Sequence, residues 1–352
     1  MASSPSNGTL PRISFVVVTY NSRDTILDCL ASIVAQELRP KEILVVDNGS
    51  IDDTVELVGS NFPDAALIET HSNLGYGCAN NLGAAKSSGA IIGIVNPDVI
   101  LNPSWARQMA LALASDSRCG AAEGKLLQSQ DPRKVDVGGS RMNVLGFGCT
   151  TNHGELENPE EGKKDVSYPS GAAFVIRREV FSAVSGFDGT YFLYHEDVDL
   201  GLRIYAAGWK VLYVPAARAI HRHESGLEPD KLRLLERNRW TTLTKNLPAA
   251  YFMRCGLLLG VSELGLLLYL TRAGLVRPKA QAYLEFCGNL TKTLRTRRST
   301  HVATRLKNTY EQLMTDDFPT MVPSQGAAIR AARSIQSAYM RAFFSNAVRV
   351  EP

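Results

Sequence analysis

Apolar residues in the first hundred positions fall into continuous runs, each closed by a polar turn. The runs 13–19, 42–46, 65–69 and 90–95 lack the alternation of a half-exposed strand. They are rich in Val and Ile, the pattern of strands covered on both faces. Between them the spacing turns helical. Ile26, Leu27, Leu30, Ile33 and Val34 share one face over 24–36. A second helix starts at Asp52 or Asp53 and runs through Val55 and Val58, its acidic first turn suiting the helix dipole. A small-residue helix follows over 76–87. Asn102 and Pro103 then read as cap and first residue of another. Strand–helix alternation of this kind predicts an α/β fold, a Rossmann-like, mostly parallel central sheet with helices on both faces.

The rhythm is lost over 119–168, where Gly138-Gly139, Gly146, Gly148 and the charged stretch 155–165 suggest strands joined by a mobile, solvated loop. It returns with a strand at 170–176 and a short helix from Arg178. Two further strands, 211–214 and 218–223, are expected around Pro215. From about Glu228 the chain reads as helical. Residues 231–245 are basic and amphipathic. Residues 257–270 are apolar apart from Glu263, and shorter than the roughly 20 apolar residues of a spanning helix. They suit either a buried hairpin helix or a segment lying in a membrane interface. Four cations within 292–298 would favour anionic head groups.

Composition adds a charge asymmetry. Of 352 residues, 45% are hydrophobic and 21% charged, a globular balance with net charge +3. Residues 231–352 hold 19 Lys+Arg against 7 Asp+Glu, or +12, so the first 230 carry −9. A basic tail behind an acidic body points to an anionic partner, membrane or nucleic acid, or to no more than a helix with solvated charges. No interleaved aromatic platform or nucleic-acid motif accompanies it, so no nucleic-acid partner is expected. The six cysteines form no C-x-x-C pair, which argues against zinc and redox frameworks and for a reducing compartment. Residues 1–11 lack a charged n-region and apolar core, and are expected to be a flexible leader. Neither G-x-x-x-x-G-K-[ST] nor a G-x-G-x-x-G after the first strand occurs, which removes kinase and dinucleotide-dehydrogenase readings.

Ligands of open α/β sheets sit beyond the carboxyl ends of the strands. Thr19-Tyr20-Asn21, Asp47 and Asn96-Pro97-Asp98 occupy such ends. In the second half, Glu196-Asp197-x-Asp199 and His221 concentrate acid and imidazole, with His221 and His223 on one strand face. A carboxylate with a histidine can hold a divalent cation, which would neutralise a pyrophosphate leaving group. Asp199 lies one helical turn before Arg203, a structural ion-pair spacing.

These segments together resemble a family 2 glycosyltransferase of the GT-A fold, in its rhamnosyltransferase-like branch. The matching residues are Val16-Val17-Val18-Thr19-Tyr20-Asn21, Val45-Val46-Asp47-Asn48-Gly49-Ser50, Asn73-Leu74-Gly75 with Asn80, Asn96-Pro97-Asp98, Gly186-Phe187-Asp188, the stretch from Phe192 to Leu200, Arg203, Gly208 and His221. The resemblance implies a GT-A domain over 12–226 and a helical, basic C-terminal region over 227–352 that could associate with a membrane. It implies that Thr19, Tyr20, Asn21, Asp47, Asn73, Gly75, Asn80, Asn96 and Asp98 bind the donor. Asp98 and His221 would bind Mn2+ or Mg2+, Asn96 standing where the family's first Asp would be. Asp197 would be the base, with Gly171, Ala172 and Glu196 toward the acceptor. The implied reaction is inverting transfer from a nucleotide-diphosphate sugar, dTDP-rhamnose first and UDP-sugars as rivals, to a hydroxyl of a cell-surface glycan or lipid-linked acceptor. The implied place is cytoplasmic, at the inner face of the plasma membrane. The competing reading is a non-catalytic nucleotide-sugar or glycan-binding module on the same scaffold.

Overall fold

The structure is a computed structural model that describes residues 10–222, 226, 228–315 and 334–340. Strands β1 (Ile13–Thr19), β2 (Glu42–Asp47), β3 (Ala66–Glu69) and β4 (Ile91–Val95) alternate with helices α1 (Ile26–Val34), α2 (Thr54–Asn61) and α3 (Tyr76–Lys86). Then come β5 (Val99–Leu101), α4 (Trp105–Ser115), β6 (Cys119–Gln128), β7 (Val135–Val137), β8 (Ser140–Asn143), β9 (Gly148–Thr150), β10 (Lys164–Val166) and β11 (Ala173–Arg177). The remaining elements are α5 (Arg178–Ala183), α6 (Glu196–Ala206), β12 (Lys210–His221), α7 (Pro229–Asn246), α8 (Ala249–Arg272), α9 (Val276–Thr300) and β13 (Met314–Thr315).

The main sheet has the order β10-β12-β6-β11-β4-β1-β2-β3, with β5 added to β12 and β7 to β6. The strands β4, β1, β2 and β3 are mutually parallel, β6 and β12 are parallel, and β11 runs antiparallel between β4 and β6. Because β1 is covered on both faces, its residues divide between two cores. Phe15 and Val17 pack with α1 and α4, while Val16 packs with α3, α5 and α6. The small residues of α3 have a physical reason. A Cβ on Gly83 would stand 2.4 Å from Val16 Cγ1, so the helix lies as close to the sheet as a backbone can.

Three expectations are corrected. Cys119–Gln128 is a ten-residue strand inside the sheet. Its pattern was hidden by two buried charges. Glu123 accepts from the Ser140 and Ser170 amides, and Lys125 pairs with Glu157 and Glu161. The charged stretch 155–165 is therefore no free loop, since Glu157 also pairs with Arg218 and Glu161 with Lys164. The two strands expected around Pro215 are one, β12, because a register shift between Val214 and Arg218 absorbs the proline as a bulge. The third concerns the apolar segment 257–270, which belongs to the 24-residue α8; by length and composition that helix could cross a membrane. His223, residues 1–9 of the leader and parts of 227–352 lie outside the described residues.

The helical segment completes the fold. Leu243, Leu247, Tyr251, Cys255 and Leu258 share one core with Met142, Tyr168, Val198 and Leu202. The ion pair expected between Asp199 and Arg203 is buried, at 2.8 Å, and extends to α7. Asp199 also meets Lys245 at 2.5 Å and accepts from Asn246 and the Tyr191 hydroxyl. Burial alone would raise the Asp199 carboxyl, but Arg203 and Lys245 hold it far below the usual range. Removing one partner of a buried ionic set leaves the others uncompensated, at a cost of about 3–5 kcal/mol. Asp199→Ala should therefore lower the urea midpoint sharply. Arg23→Ala, at an ion pair with the exposed Asp53, should cost about 0–1 kcal/mol. Equal midpoints for the two variants would contradict the network's role.

Candidate active site

Two hollows meet beyond the carboxyl ends of β1 and β4. The larger, about 450 Å³, is lined by Tyr20, Asn21, Asn73, Gly75, Asn96 and Asp98 among others. The smaller, about 260 Å³, is lined by Gly171, Ala172, Glu196 and Asp197 with Phe147, Tyr168 and Leu235. Tyr76, Asn96 and Leu193 belong to both walls. The register that pairs Val17 with Val95 and Thr19 with Asp47 brings the strand ends level, which is why residues 80 positions apart share a surface.

Three residues expected at the donor side stand behind this surface. The Asp47 carboxylate is buried and accepts from Ser50 Oγ at 2.5 Å, the Ser50 and Gly49 amides, and Thr19 Oγ1 at 3.1 Å. Thr19 and Asp47 thus shape the turn under the hollow and do not face into it. Asn80 is fully buried and donates to the Tyr76 carbonyl. Asn48, in the same strand-end motif but not singled out in the sequence, does line the hollow. It donates to Asn73 Oδ1 at 3.0 Å and accepts from the Leu74 amide, fixing the 73–75 loop.

The wall between the hollows is strained. Phe192, Tyr194 and His195 have φ of 65°, 71° and 68°, a left-handed conformation that non-glycine residues adopt only when surroundings enforce it. Two elements enforce it. The Tyr76 amide donates to the Phe192 carbonyl at 2.7 Å, and Gly75 must lack a side chain because a Cβ there would lie 2.5 Å from that same oxygen. From the other side, Asn238 of α7 reaches the carbonyls of Tyr191, Leu193 and Tyr194 at 3.0, 2.8 and 2.7 Å. Nothing local in the sequence marks Asn238, since its partners lie more than forty positions earlier.

Asp197 opens α6, where its charge suits the helix dipole. It accepts from the Val198 amide at 2.8 Å and the Gly171 amide at 3.2 Å. Burial raises Asp197 to about 6 despite these donors, and burial beside Asp197 pushes Glu196 well above the ordinary range. Gly171 acts through its backbone. Besides the amide bond to Asp197, its carbonyl accepts from the Tyr76 hydroxyl at 2.5 Å, and a Cβ there would make only ordinary contacts. Behind this turn Glu123, raised to about 7 by burial, accepts from the Ser170 amide at 2.8 Å. Sequence reading passed over Glu123, since no pattern announces a fully buried acid.

On the donor side the antiparallel pairing of β5 with β12 sets Val99 opposite His221. This puts His221 Nε2 3.6 Å from Asp98 Oδ2. His221 Nδ1 lies 2.7 Å from Asp136 Oδ2 on β7, a residue the sequence did not single out. Burial disfavours charge on the ring, but Asp136 and Asp98 raise it to about 9. Among the described residues no group of three or more His, Cys, Asp and Glu is arranged to hold a metal. The pair nevertheless fits a divalent cation of one kind. Asp98 and Nε2 would supply an O,N edge, the cation would replace the ring's second proton, and Asp136, bonded to the other ring nitrogen, would keep the ring in place. A cation with two protein ligands takes its remaining oxygens from a bound phosphate chain.

Comparison with known proteins finds glycosyltransferases. A family model described as Glycosyl transferase family 2 matches residues 14–185, and one described as Glycosyl transferase family group 2 matches residues 131–286. The N-acetylglucosaminyl-diphospho-decaprenol L-rhamnosyltransferase of Mycobacterium tuberculosis is 33% identical over 239 residues, covering 61% of this chain and 78% of the relative. The O-antigen chain rhamnosyltransferase RfbN of Salmonella typhimurium is 28% identical over 220 residues, covering 62% and 68%. A crystal structure of GalNAc-T7 with UDP, GalNAc and Mn2+ superposes with a TM-score of 0.61 at 15% identity, covering 86% of this chain and 57% of that one, a likeness of fold.

Asp136→Asn should weaken Mn2+ binding in the presence of a nucleoside diphosphate by about 10–100-fold, the usual effect of losing the carboxylate that orients a metal-binding histidine. Nucleotide binding measured in chelator should be unchanged. Calorimetry separates the two, and an unaltered Mn2+ affinity would contradict the orienting role of Asp136.

Proposed function

The chain belongs to glycosyltransferase family 2 and is a glycosyltransferase of the GT-A fold; from that premise we propose inverting transfer of rhamnose from dTDP-rhamnose to a hydroxyl of a lipid-linked, cell-surface glycan precursor. One observation carries the mechanism. The half-buried carboxylate of Asp197 and that of Asp98, with His221 beside it, belong to two adjacent hollows that share Tyr76, Asn96 and Leu193. A sugar whose diphosphate lies by Asp98 would present its anomeric carbon at that junction.

An acceptor hydroxyl is a poor nucleophile until a positioned base takes its proton in the transition state. Asp197 is that base. Its oxygen receives the proton as the acceptor oxygen bonds to the anomeric carbon. The bond from that carbon to the diphosphate oxygen breaks on the opposite side, which inverts the centre. Burial strengthens Asp197 as a base while the Gly171 and Val198 amides keep it ionisable near neutral pH. Charge then develops on the departing diphosphate, beside Asp98, His221 and the Arg222 that lines the donor hollow. A bound Mn2+ or Mg2+ supplies neutralisation of that charge.

The donor sugar is read from the two relatives named rhamnosyltransferases. The acceptor hollow offers Tyr76, Phe147 and Tyr168 and no Lys or Arg in its lining, which suits a neutral sugar ring held against aromatic faces. A lipid-linked acceptor places the reaction in the cytoplasm at the inner face of the membrane. The founding test is turnover of dTDP-rhamnose and UDP-sugars with Mn2+ or Mg2+ and a lipid-linked glycan, with product anomeric configuration read by NMR. Nucleotide binding without turnover of any donor would make the chain a binding module.

Asp197→Asn should bind donor as tightly as the parent and lose about 10²–10⁴-fold in kcat. Parental turnover in this variant would remove the base assignment. In the parent, kcat should fall tenfold per pH unit below about 6, because Asp197 is then protonated. A pH-independent rate from 5 to 8 would contradict this. Asn238→Ala, which frees the strained wall, should lower kcat by about 10–100-fold through misplacement. Its nucleotide affinity in calorimetry should stay near the parent's, and equal losses in both would point to general unfolding.

A further inference from the structure

Helix α8 is amphipathic in a direction the rest of the molecule does not use. Tyr251, Cys255 and Leu259 lie on its inner face within the core shared with the catalytic region. Glu263 continues that face one turn on and is tied to Arg239 and Lys279 of the neighbouring helices, with a hydrogen bond from Tyr283. This buried ionic anchor fixes the helix's rotation. The opposite face is then forced outward. It carries Met253, Leu257, Val261, Leu264 and Leu268 at intervals of four, four, three and four, one continuous stripe. Met253 and Leu257 are 80% and 79% exposed. Isolated exposed apolar residues are ordinary, but a contiguous stripe marks an interaction surface.

The stripe ends in cations. Met253 shares an apolar hollow with Ala249, Arg298, His301 and Lys307 at the foot of α8 and α9. Arg297, also there, spends its guanidinium on the carbonyls of Thr244 and Leu247. Arg298 and Lys307 form no ion pair among the described residues, so their charge is available to a ligand.

We propose that this face rests on an anionic phospholipid bilayer, with the α8 stripe in the acyl boundary and Arg298 and Lys307 at the head groups. Charge complementarity decides the occupant. Residues 231–352 carry +12, which an anionic bilayer attracts and which a second copy of the same face would repel. The helix lies on the membrane and does not cross it, since crossing would carry Glu263 and its partners into hydrocarbon. Helix α9 packs against α7, whose Leu235 lines the acceptor hollow, so the docked face and that hollow belong to one helical unit. In that consequence alone the proposal rests on the lipid-linked acceptor reading.

The test is cosedimentation of the full chain with phosphatidylglycerol–phosphatidylcholine vesicles and with phosphatidylcholine alone. The parent should bind the anionic vesicles, more weakly as salt rises. Leu257→Glu with Leu264→Glu should reduce binding more than about tenfold. Arg298→Glu with Lys307→Glu should erase the preference for anionic lipid. Both double variants should keep the parent's turnover on a short, water-soluble acceptor, which shows that they fold. Failure of the parent to bind, or unchanged binding by both variants, would overturn the proposal. So would a concentration-dependent dimer in ultracentrifugation that the leucine substitutions abolish, because a second copy would then cover the stripe. Vesicle binding with no preference for lipid-linked over soluble acceptor would leave the docking face standing and remove the acceptor reading instead.

Discussion

The structure is organised around a carboxylate that is partly withdrawn from water and still has to ionise. Asp197 is half-buried next to a buried acid, Glu196, an arrangement that by itself drives protons onto both. What keeps Asp197 near neutrality is a set of fixed dipoles, namely the first turn of α6 and the Gly171 and Val198 amides. Fixed dipoles work only if they stay where they are, and most of the surrounding architecture serves that end. Glu123 holds the Ser170 turn from behind, and Asp199 ties α6 to α7 through Lys245 and Asn246. Asn238 holds the carbonyls of Tyr191, Leu193 and Tyr194 in the chain that leads into α6. The helices after the sheet are in this sense part of what positions Asp197.

The sheet was legible because burial on both faces demands a nearly pure apolar run, and β1, β2 and β4 have one. β6 was hidden for the converse reason. Glu123 and Lys125 are as buried as any valine but satisfy their charges through Ser140, Ser170, Glu157 and Glu161, partners up to forty-seven positions away. The site shows the same division. Strand-end motifs located the donor hollow, and Tyr20, Asn21, Asn73, Gly75, Asn96 and Asp98 line it. The motifs do not say which side chain turns inward. Asp47 and Thr19 belong to the motifs, yet they hold the turn from below while Asn48, next to Asp47, lines the hollow. Asp136, Glu123 and Asn238 act at long range, and only the folded sheet and α7 bring them to their partners.

The donor hollow has one carboxylate where two would be expected, with Asn96 in place of an acid. The loss is smaller than it looks. A second carboxylate would strengthen a resident cation but also repel the diphosphate it is meant to receive. With Asp98 and a neutral imidazole as the proposed ligands, a divalent cation would keep a larger net positive charge for the phosphates, beside Arg222 in the same lining. Such a site would favour binding of cation and nucleotide together over cation alone.

The strained wall joins these two demands. Leu193 faces both hollows, flanked on each side by left-handed residues that relax as soon as their restraints loosen. Each restraint comes from a different part of the chain, Gly75 and Tyr76 from the nucleotide-side helix and Asn238 from the basic helical segment. A wall held in tension from both sides cannot move toward one hollow without withdrawing from the other. Both restraints therefore converge on the residues that precede Asp197. The strain of about 1–3 kcal/mol per left-handed residue is the physical measure of how firmly the two halves must be packed together. That packing is supplied by the core that α7 and α8 share with Tyr168, Val198 and Leu202.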